Sequence, residues 1–448
     1  MKKFFSLLLS ICMLGAFVAC GDTTGSDKGN GSTPPSTEQG GNNENNGGNN
    51  GEKPPVTPPD DNKDDGNEKP TDKVDVTKLV DFVVEVEPWR DPIVLQLTDP
   101  QIIDAAQERY ATRLDAATEE YWATDKVWER YQQCFTETIL KTNPDLIIIT
   151  GDIVYGEFDD NGTAFEGFVN FMDSFDIPWA PVFGNHENES AKGVDWQCDQ
   201  FEAAENCLFK QRTLTGNGNY SVGIMQGESL TRVFYMLDSN GCGSASSQSM
   251  ANGHMKKTAG FGSDQIQWYT NSIGEIHKVS PSTKISFAYH IQQAAFLKAF
   301  EAYGFTGESS SLPIDIDKHP DKKAGDFGYL GEKFKAAWDE DYTVWNGMKA
   351  LGVDSVFIGH IHANSASVVY DGIRCQFGQK SSTYDKANYV NANGNIVASY
   401  VSAGDPIIGG TVIVLSKDSG EIKDGYIYYA TGNVRIDYGF DGVPELFE

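Results

Sequence analysis

Apolar runs alternate with amphipathic stretches along the central part of this chain. Residues 146–150 form an unbroken apolar run, typical of strands that are buried on both faces, and residues 93–98 have a similar pattern. Residues 119–140 carry apolar side chains at helical spacing, and Asn143-Pro144 stops the helix that this spacing predicts. The alternation of strand and helix predicts right-handed crossovers and a largely parallel core.

Further elements are predicted by the same criteria. Helices are expected at about residues 163–175 and 263–276, the second with Ser263 as its N-cap. Strands are expected at residues 178–183, 220–224, 232–237, 285–289, 351–358, 410–415 and 425–429. The polar stretch 301–335 is expected to be a surface excursion. Together these elements predict an α/β fold with two packed mixed β-sheets flanked by helices.

The first 78 residues differ in composition from the rest of the chain. Lys2 and Lys3 precede an apolar stretch that ends in Phe17-Val18-Ala19-Cys20, and this segment resembles a bacterial lipoprotein signal. The resemblance implies that residues 1–19 are removed and that Cys20 carries lipid, whereas an ordinary secretory signal is the alternative. Residues 20–78 are rich in Gly, Asn, Pro and charged residues, which predicts a disordered tether. We therefore expect a membrane-anchored lipoprotein of the bacterial cell envelope, facing the periplasm or the cell surface.

Residues 79–448 are long enough for one large domain. Charge and cysteine content limit the partners and the kinds of metal site that are expected for the protein. The formal net charge of the whole chain, −29, argues against nucleic acid or anionic lipid as a bulk partner. The cysteines beyond Cys20 show no CxxC spacing, so zinc ligation by cysteine is not favoured. Cys198 and Cys207 lie close in sequence and could form a disulfide in an oxidising compartment.

Five short segments place carboxylate, amide and imidazole side chains directly after predicted strands. The segments are Asp99-Pro100-Gln101, Gly151-Asp152-Ile153-Val154-Tyr155, Gly184-Asn185-His186-Glu187, His290 and Gly359-His360-Ile361-His362. Because each segment follows a predicted core strand, these side chains are expected to converge at one sheet edge. A bridging carboxylate together with imidazole and amide donors suits two metal ions.

In this order the segments resemble the calcineurin-like metallophosphoesterases. The resemblance implies hydrolysis of phosphate esters by a dinuclear metal centre with a metal-bridging hydroxide as nucleophile. It implies that His186 binds the phosphate and protonates the leaving oxygen. The implied ligands are Asp152 as the bridge, Asp99 and His362 for the first metal, and Asn185, His290 and His360 for the second. The substrate would be a phosphorylated small molecule or another phosphoester, as a monoester or, alternatively, a diester.

The first segment departs from the family pattern, because Gln101 stands where most members carry a histidine. A glutamine amide oxygen is a weaker donor than imidazole. The Gly-Asp-x-x-Tyr pattern that ends at Tyr155 resembles the purple acid phosphatase branch, in which a tyrosinate binds iron(III). Either Tyr155 or Gln101 is therefore expected to complete the first site, and the expected pair is Fe with Fe, Mn or Zn.

Two further expectations follow from this segment order. Glu187 comes directly after His186 and is expected to hold that histidine as a hydrogen-bond acceptor. If the missing histidine has abolished catalysis, the chain would instead be a degraded phosphoesterase scaffold that acts as a stalked ligand-binding lipoprotein.

Overall fold

The computed structural model describes residues 75–107, 124–241, 258–334, 337–381, 389–390, 396–397, 409–430, 435–437 and 445–447. The predicted signal peptide and the predicted tether up to residue 74 lie outside the described residues. Val76–Leu79 form a 3-10 turn, and the apolar side chains of Val76 and Leu79 pack against the core. With its N-cap residue Asp75, this turn overlaps residues 75–78, the last four positions of the predicted tether.

The described residues form helices and strands at the following positions. The helices are α1 Thr124–Thr142, α2 Thr163–Asp173, α3 Val194–Ala203, α4 Ser263–Val279, α5 Ala294–Glu301 and α6 Thr343–Ala350. The first nine strands are β1 Phe82–Val86, β2 Ile93–Leu97, β3 Leu146–Ile149, β4 Trp179–Pro181, β5 Tyr220–Gln226, β6 Ser229–Met236, β7 Lys284–Ala288, β8 Ile314–Asp315 and β9 Phe327–Leu330. The others are β10 Val353–Ile358, β11 Asn364–Tyr370, β12 Ile373–Phe377, β13 Tyr389–Val390, β14 Ile396–Val397, β15 Gly409–Leu415, β16 Ile422–Tyr429, β17 Arg435–Asp437 and β18 Glu445–Phe447.

Two large sheets contain most of these strands. The nine-stranded sheet has the order β1-β5-β6-β7-β10-β12-β11-β9-β8, and the seven-stranded sheet has the order β18-β17-β16-β15-β2-β3-β4. Both are mixed: β2-β3-β4 and β6-β7-β10-β12 run parallel, whereas β15 pairs with β2 in the antiparallel sense. Strands β13 and β14 form a separate pair.

The two sheets share one apolar core. Leu97 of β2 and Phe357 of β10 belong to the same buried cluster, and the Tyr220 hydroxyl of β5 donates to the carbonyl of Pro181 in β4 at 2.6 Å. Gln96 lies in this core with its polar atoms satisfied, since its amide donates to Ile358 O at 3.0 Å and accepts from Gln376 at 2.9 Å. Polar and apolar contacts thus join the sheets directly.

Helices cover the outer faces of both sheets. Phe135 of α1 contacts Phe168 of α2, which packs edge-on against Trp179 in the seven-stranded sheet. Tyr269 of α4 packs against Phe287 in β7 of the nine-stranded sheet. The predicted fold of two packed mixed sheets flanked by helices is confirmed.

Three local expectations are wrong. Helix α4 has Gly262 as its N-cap residue, and Ser263 is its first helical residue. The stretch 301–335 is not only a surface excursion, because β8 and β9 within it extend the edge of the nine-stranded sheet. Cys198 and Cys207 are buried free thiols, and the Cys198 thiol lies 3.5 Å from Gln211 Oε1.

None of the helices in the described part of the chain combines the length and the apolar character that crossing a bilayer requires.

The position of Gln96 leads to a stability prediction. A Gln96→Leu substitution removes the donor to Ile358 O and leaves the buried Gln376 amide without this acceptor, so the free energy of unfolding should fall by about 1–3 kcal/mol. Chemical denaturation measures the effect. Gln133→Leu is the matched control, because Gln133 is exposed on α1 and its replacement should change stability by less than about 0.5 kcal/mol. Equal effects of the two substitutions would contradict the assigned role.

Candidate metal centre

Five parallel strands from both sheets deliver the predicted site residues. Asp99, Asp152 and Asn185 follow β2, β3 and β4 of the seven-stranded sheet, whereas His290 and His360 follow β7 and β10 of the nine-stranded sheet. In parallel strands the carboxyl ends share one edge, which is why segments far apart in sequence meet here. The centre therefore lies where the two sheets come together.

The side chains form two groups that could each hold a cation. One group is Asp99, Asp152 and His362, the other is Asp152, His290 and His360, and in each group the ligand atoms lie within 4.8 Å of one another. Asp152 belongs to both groups, as a bridging ligand would. The Asn185 amide oxygen lies 3.2 Å from His290 Nε2, so it adds a neutral oxygen to the second group.

The Asp152 carboxylate has the properties of a metal ligand. Its Oδ1 accepts from the His186 amide at 3.0 Å, whereas its buried Oδ2 receives no hydrogen bond of acceptable geometry, although His290 Nε2 lies 3.2 Å away. Burial would raise the pKa of Asp152, but the imidazoles of His290 and His186 hold it well below its usual range. A buried anionic oxygen without a donor fits a cation, and so do the carboxylate, imidazole and amide donors around it.

The opposite shift occurs on the histidine that faces this carboxylate. Burial would lower the pKa of His290, but Asp152 raises it to about 9. The His290 Nδ1 atom lies 2.7 Å from the carbonyl of Thr150, which directs Nε2 toward Asp152. A bound cation would take the place of the proton on Nε2, since it supplies the same positive charge to the same carboxylate.

The backbone is strained at several of these residues. Asp99, Gln101, Asp152 and His360 have φ values of +48°, +47°, +52° and +73°, in the left-handed region that non-glycine residues rarely adopt. Strain of this kind persists only where the surroundings enforce it, and it clusters at functional sites. Here the strained residues all lie in the segments that supply the two ligand groups.

Gly184 provides the space for the Asp152 carboxylate. A Cβ atom at Gly184 would overlap both Oδ1 and the main-chain nitrogen of Asp152. Glu187 holds this turn together, because its carboxylate accepts from the amides of Gly184, at 2.7 Å, and Ile153. The expectation that Glu187 holds His186 is therefore wrong: its side chain turns back to the strand ends, where burial and Asp152 raise its pKa to about 8.

Glu189 is the acidic partner of His186. Its carboxylate lies 2.7 Å from Nδ1 of the imidazole, and Tyr155 stacks on the same ring with a centroid distance of 4.1 Å. Burial would lower the pKa of His186, but Glu189 and Asp152 raise it to about 9. Glu189 thus holds the imidazole of His186 at one edge, and Tyr155 holds it at one face. The other ring nitrogen, Nε2, lies 3.9 Å from Asp152 Oδ2.

Gln101 lies beside the first ligand group. Its Nε2 atom is 3.1 Å from Nε2 of His362, and its Oε1 accepts from Lys380 at 2.8 Å. Gln101 and Tyr155 were the alternative predictions for the residue that completes this group. Gln101 lies next to His362, whereas the Tyr155 ring stacks on His186.

Sequence reasoning missed two residues of this site. Glu189 carried a weak signal, since it lies three positions after His186 and one 3-10 turn brings the two together. Lys380 carried no local signal, because it reaches the first segment only through a bridge between Thr98 and Lys380.

Comparison with protein families agrees with this geometry. The family model for calcineurin-like phosphoesterases matches residues 93–364 of the sequence. The chain belongs to the calcineurin-like phosphoesterase family. The prediction of a phosphoesterase enzyme is therefore confirmed, and the family's dependence on a dinuclear metal centre agrees with the two ligand groups. No curated protein sequence matches the chain.

Solved structures with a similar backbone are distant in sequence. A dimetal phosphatase from Danio rerio is 11% identical with a TM-score of 0.41, over 80% of this chain and 98% of that chain. A purple acid phosphatase from yellow lupin (Lupinus luteus) seeds is 11% identical with a TM-score of 0.34, over 77% and 55%. GAP50, described as the anchor in the inner membrane complex of Plasmodium, is 9% identical with a TM-score of 0.40, over 77% and 86%. The family assignment rests on the sequence model.

The close contact at Gly184 predicts a defect in metal binding. In a Gly184→Ala protein the new methyl group displaces the Asp152 carboxylate, so the bound metal, measured by elemental analysis, should fall by at least one ion per chain. Gly274→Ala is the matched control, since a Cβ atom there meets nothing within 4 Å and the residue lies in α4. Full metal content in the Gly184→Ala protein would show that Asp152 does not depend on this space.

The Glu189–His186 contact predicts a change in the pH profile. In a Glu189→Gln protein the imidazole loses an anionic neighbour, so its pKa falls and the alkaline limb of kcat shifts to lower pH. We expect kcat to fall about tenfold or more, because the ring also loses its orientation. Glu166→Gln, at an exposed position of α2, is the control and should leave the profile unchanged. An unshifted alkaline limb in the Glu189→Gln protein would remove His186 as the titrating acid.

Proposed function

We propose that this protein hydrolyses phosphate esters at a dinuclear metal centre built on the two ligand groups that share Asp152. The observation that carries the proposal is this shared carboxylate, whose buried Oδ2 receives no hydrogen bond. When bound, the two cations would supply an acidified water and neutralise charge on the phosphoryl oxygens. Asp99 and His362 would hold the first cation, and Asn185, His290 and His360 the second.

His186 would act on the substrate rather than on a cation. Glu189 and Asp152 raise its pKa to about 9, so the imidazole is protonated near neutral pH. Glu189 occupies Nδ1, which leaves Nε2 on the side of Asp152 to donate to a phosphoryl oxygen. The same proton can pass to the leaving oxygen as the ester bond breaks, and the ring can be reprotonated from solvent because 16% of its side chain is exposed.

The identity of the cations is part of the proposal. A pair of Fe with Fe, Mn or Zn is supported by the Gly-Asp-x-x-Tyr pattern, because a phenolate oxygen suits a hard trivalent ion. Tyr155 is buried and stacks on His186, whose Nε2 lies 3.9 Å from Asp152 Oδ2. A Tyr155 phenolate bound to iron(III) would give the protein a visible absorption band.

We place the enzyme in the bacterial cell envelope, where lipid on Cys20 would anchor it and residues 20–74 would form a stalk. The proposed substrate is a phosphorylated small molecule or another phosphoester outside the cytoplasm. Support for this location comes from the sequence of the N-terminal segment alone. A monoester is the first candidate, and a diester is the alternative that the same centre accommodates.

Metal analysis and hydrolysis assays test the proposal. Protein purified without chelator should contain two metal ions per chain and hydrolyse a chromogenic phosphate monoester or diester, and chelation should abolish the activity. Asp152→Asn should lower kcat/KM about 100-fold or more, because it weakens the ligand common to both cations. Asp176→Asn is the control, since Asp176 also has a left-handed backbone, with φ of +55°, but is exposed and belongs to none of the five segments.

The possible outcomes separate the competing hypotheses. Fewer than two ions in reconstituted protein would favour the ligand-binding scaffold. A visible band that disappears in Tyr155→Phe would assign Tyr155 to iron, whereas two colourless ions would leave Tyr155 out of the ligand set. Hydrolysis by Asp152→Asn at the parent rate would overturn the proposal.

A further inference from the structure

Lys380 is a buried lysine at the edge of the centre. It follows β12 after a short turn, and only 1% of its surface is exposed. Hydrogen bonds fix its backbone to the neighbouring strands: the amide of Ser381 donates to Thr98 O at 3.0 Å, and that of Gly409 donates to Lys380 O at 3.1 Å. The strands that carry Asp99 therefore also determine where the lysine side chain begins.

The ammonium group contacts the first segment at two points. Nζ donates to the main-chain carbonyl of Asp99 at 3.1 Å and to Oε1 of Gln101 at 2.8 Å. Both acceptors belong to the turn in which Asp99 and Gln101 have left-handed backbones. Lys380 thus holds this strained turn and the end of the Gln101 side chain together.

These contacts determine which way the Gln101 amide faces. An ammonium group only donates hydrogen bonds, so the amide atom next to it must be the oxygen. The amide nitrogen then lies on the other side, 3.1 Å from His362 Nε2, which in turn is 3.3 Å from Asp99 Oδ1. The reversed amide would place two donors against each other in a buried site, which is unfavourable.

We propose that Lys380 is a positioning residue that keeps the Gln101 amide oxygen away from the first ligand group, so that Gln101 offers an N–H donor there and is not a metal ligand. An amide nitrogen has no free lone pair for a cation, but its N–H can bind a phosphoryl oxygen. The ammonium on Oε1 polarises the amide and strengthens this donor. Asp99, Asp152 and His362 would then hold the first cation, and Gln101 would face an anion bound beside it. This inference rests on the dinuclear centre proposed above.

Metal and phosphate binding distinguish a donor from a ligand. The probes are Mn²⁺, titrated against a fluorescent chelator, and inorganic phosphate, measured as a competitive inhibitor. In Gln101→Leu we expect two ions at affinities within about threefold of the parent, and a phosphate inhibition constant raised about tenfold, as expected for one lost hydrogen bond to a charged group. A drop to one ion, or a loss of more than about tenfold in first-site affinity, would make Gln101 a ligand and overturn the inference.

A double-mutant cycle tests the role of Lys380. Lys380→Met should raise the phosphate inhibition constant in the parent but have much less effect in the Gln101→Leu background, because the lysine acts through Gln101. Equal effects in both backgrounds would show that Lys380 does not act through the amide. Lys322→Met is the matched control: Lys322 is 11% exposed and pairs with Asp317 at 2.9 Å, and its loss should leave phosphate inhibition unchanged.

Two outcomes keep this test separate from that of the proposed function. A parent protein that binds no metal would overturn both proposals, whereas a parent with two ions and a Gln101→Leu protein with one overturns this inference alone. If Lys380→Met does not fold, Gln101→Leu still decides between donor and ligand by its metal content.

Discussion

The burial of the Asp152 carboxylate is the constraint on which the rest of the site depends. A carboxylate removed from water requires opposite charge and hydrogen bonds in compensation. The His186 amide provides one hydrogen bond, and the imidazoles of His290 and His186 lower the pKa of Asp152. Because Gly184 has no side chain, there is space for the Asp152 carboxylate. The Glu187 carboxylate connects the two turns around it, since it accepts hydrogen bonds from the amides of Gly184 and Ile153. Each of these features would be unnecessary if Asp152 faced solvent.

The centre also depends on the contact between the two sheets. Strands β2, β3 and β4 carry one part of the candidate ligand set and β7 and β10 carry the other, so any sliding of one sheet over the other would separate the two parts. Gln96 opposes such sliding, since it is hydrogen-bonded to Ile358 and Gln376 across the core. Ligands on strand ends of two packed sheets are held more precisely than ligands on long loops. The packing of the two sheets also holds Asp99 in its strained left-handed backbone conformation.

The sequence predicted the features that arise from local patterns. Apolar runs identified the strands, and polar segments after those runs identified the candidate ligands, because parallel strands share a carboxyl-end edge. The roles of Glu187 and Glu189 were not distinguishable, since two acids near one histidine differ only in how a 3-10 turn directs them. Lys380 was missed because its contact with Gln101 requires pairing between distant parts of the chain. The strands in stretch 301–335 were hidden because β8 and β9 are short and lie at a sheet edge.

The position of β15 has a consequence for how the chain acquires its structure during synthesis. Thr411 of β15 pairs with Gln96 of β2, so a strand near the C-terminus completes the sheet on the flank of the first ligand strand. Contacts between such distant segments form slowly, because a long loop must close before they are made. While residues 98–408 are being translated, β2 therefore lacks the neighbour that covers one of its edges in the finished sheet. Until β15 arrives, that edge is exposed to pairing with other chains.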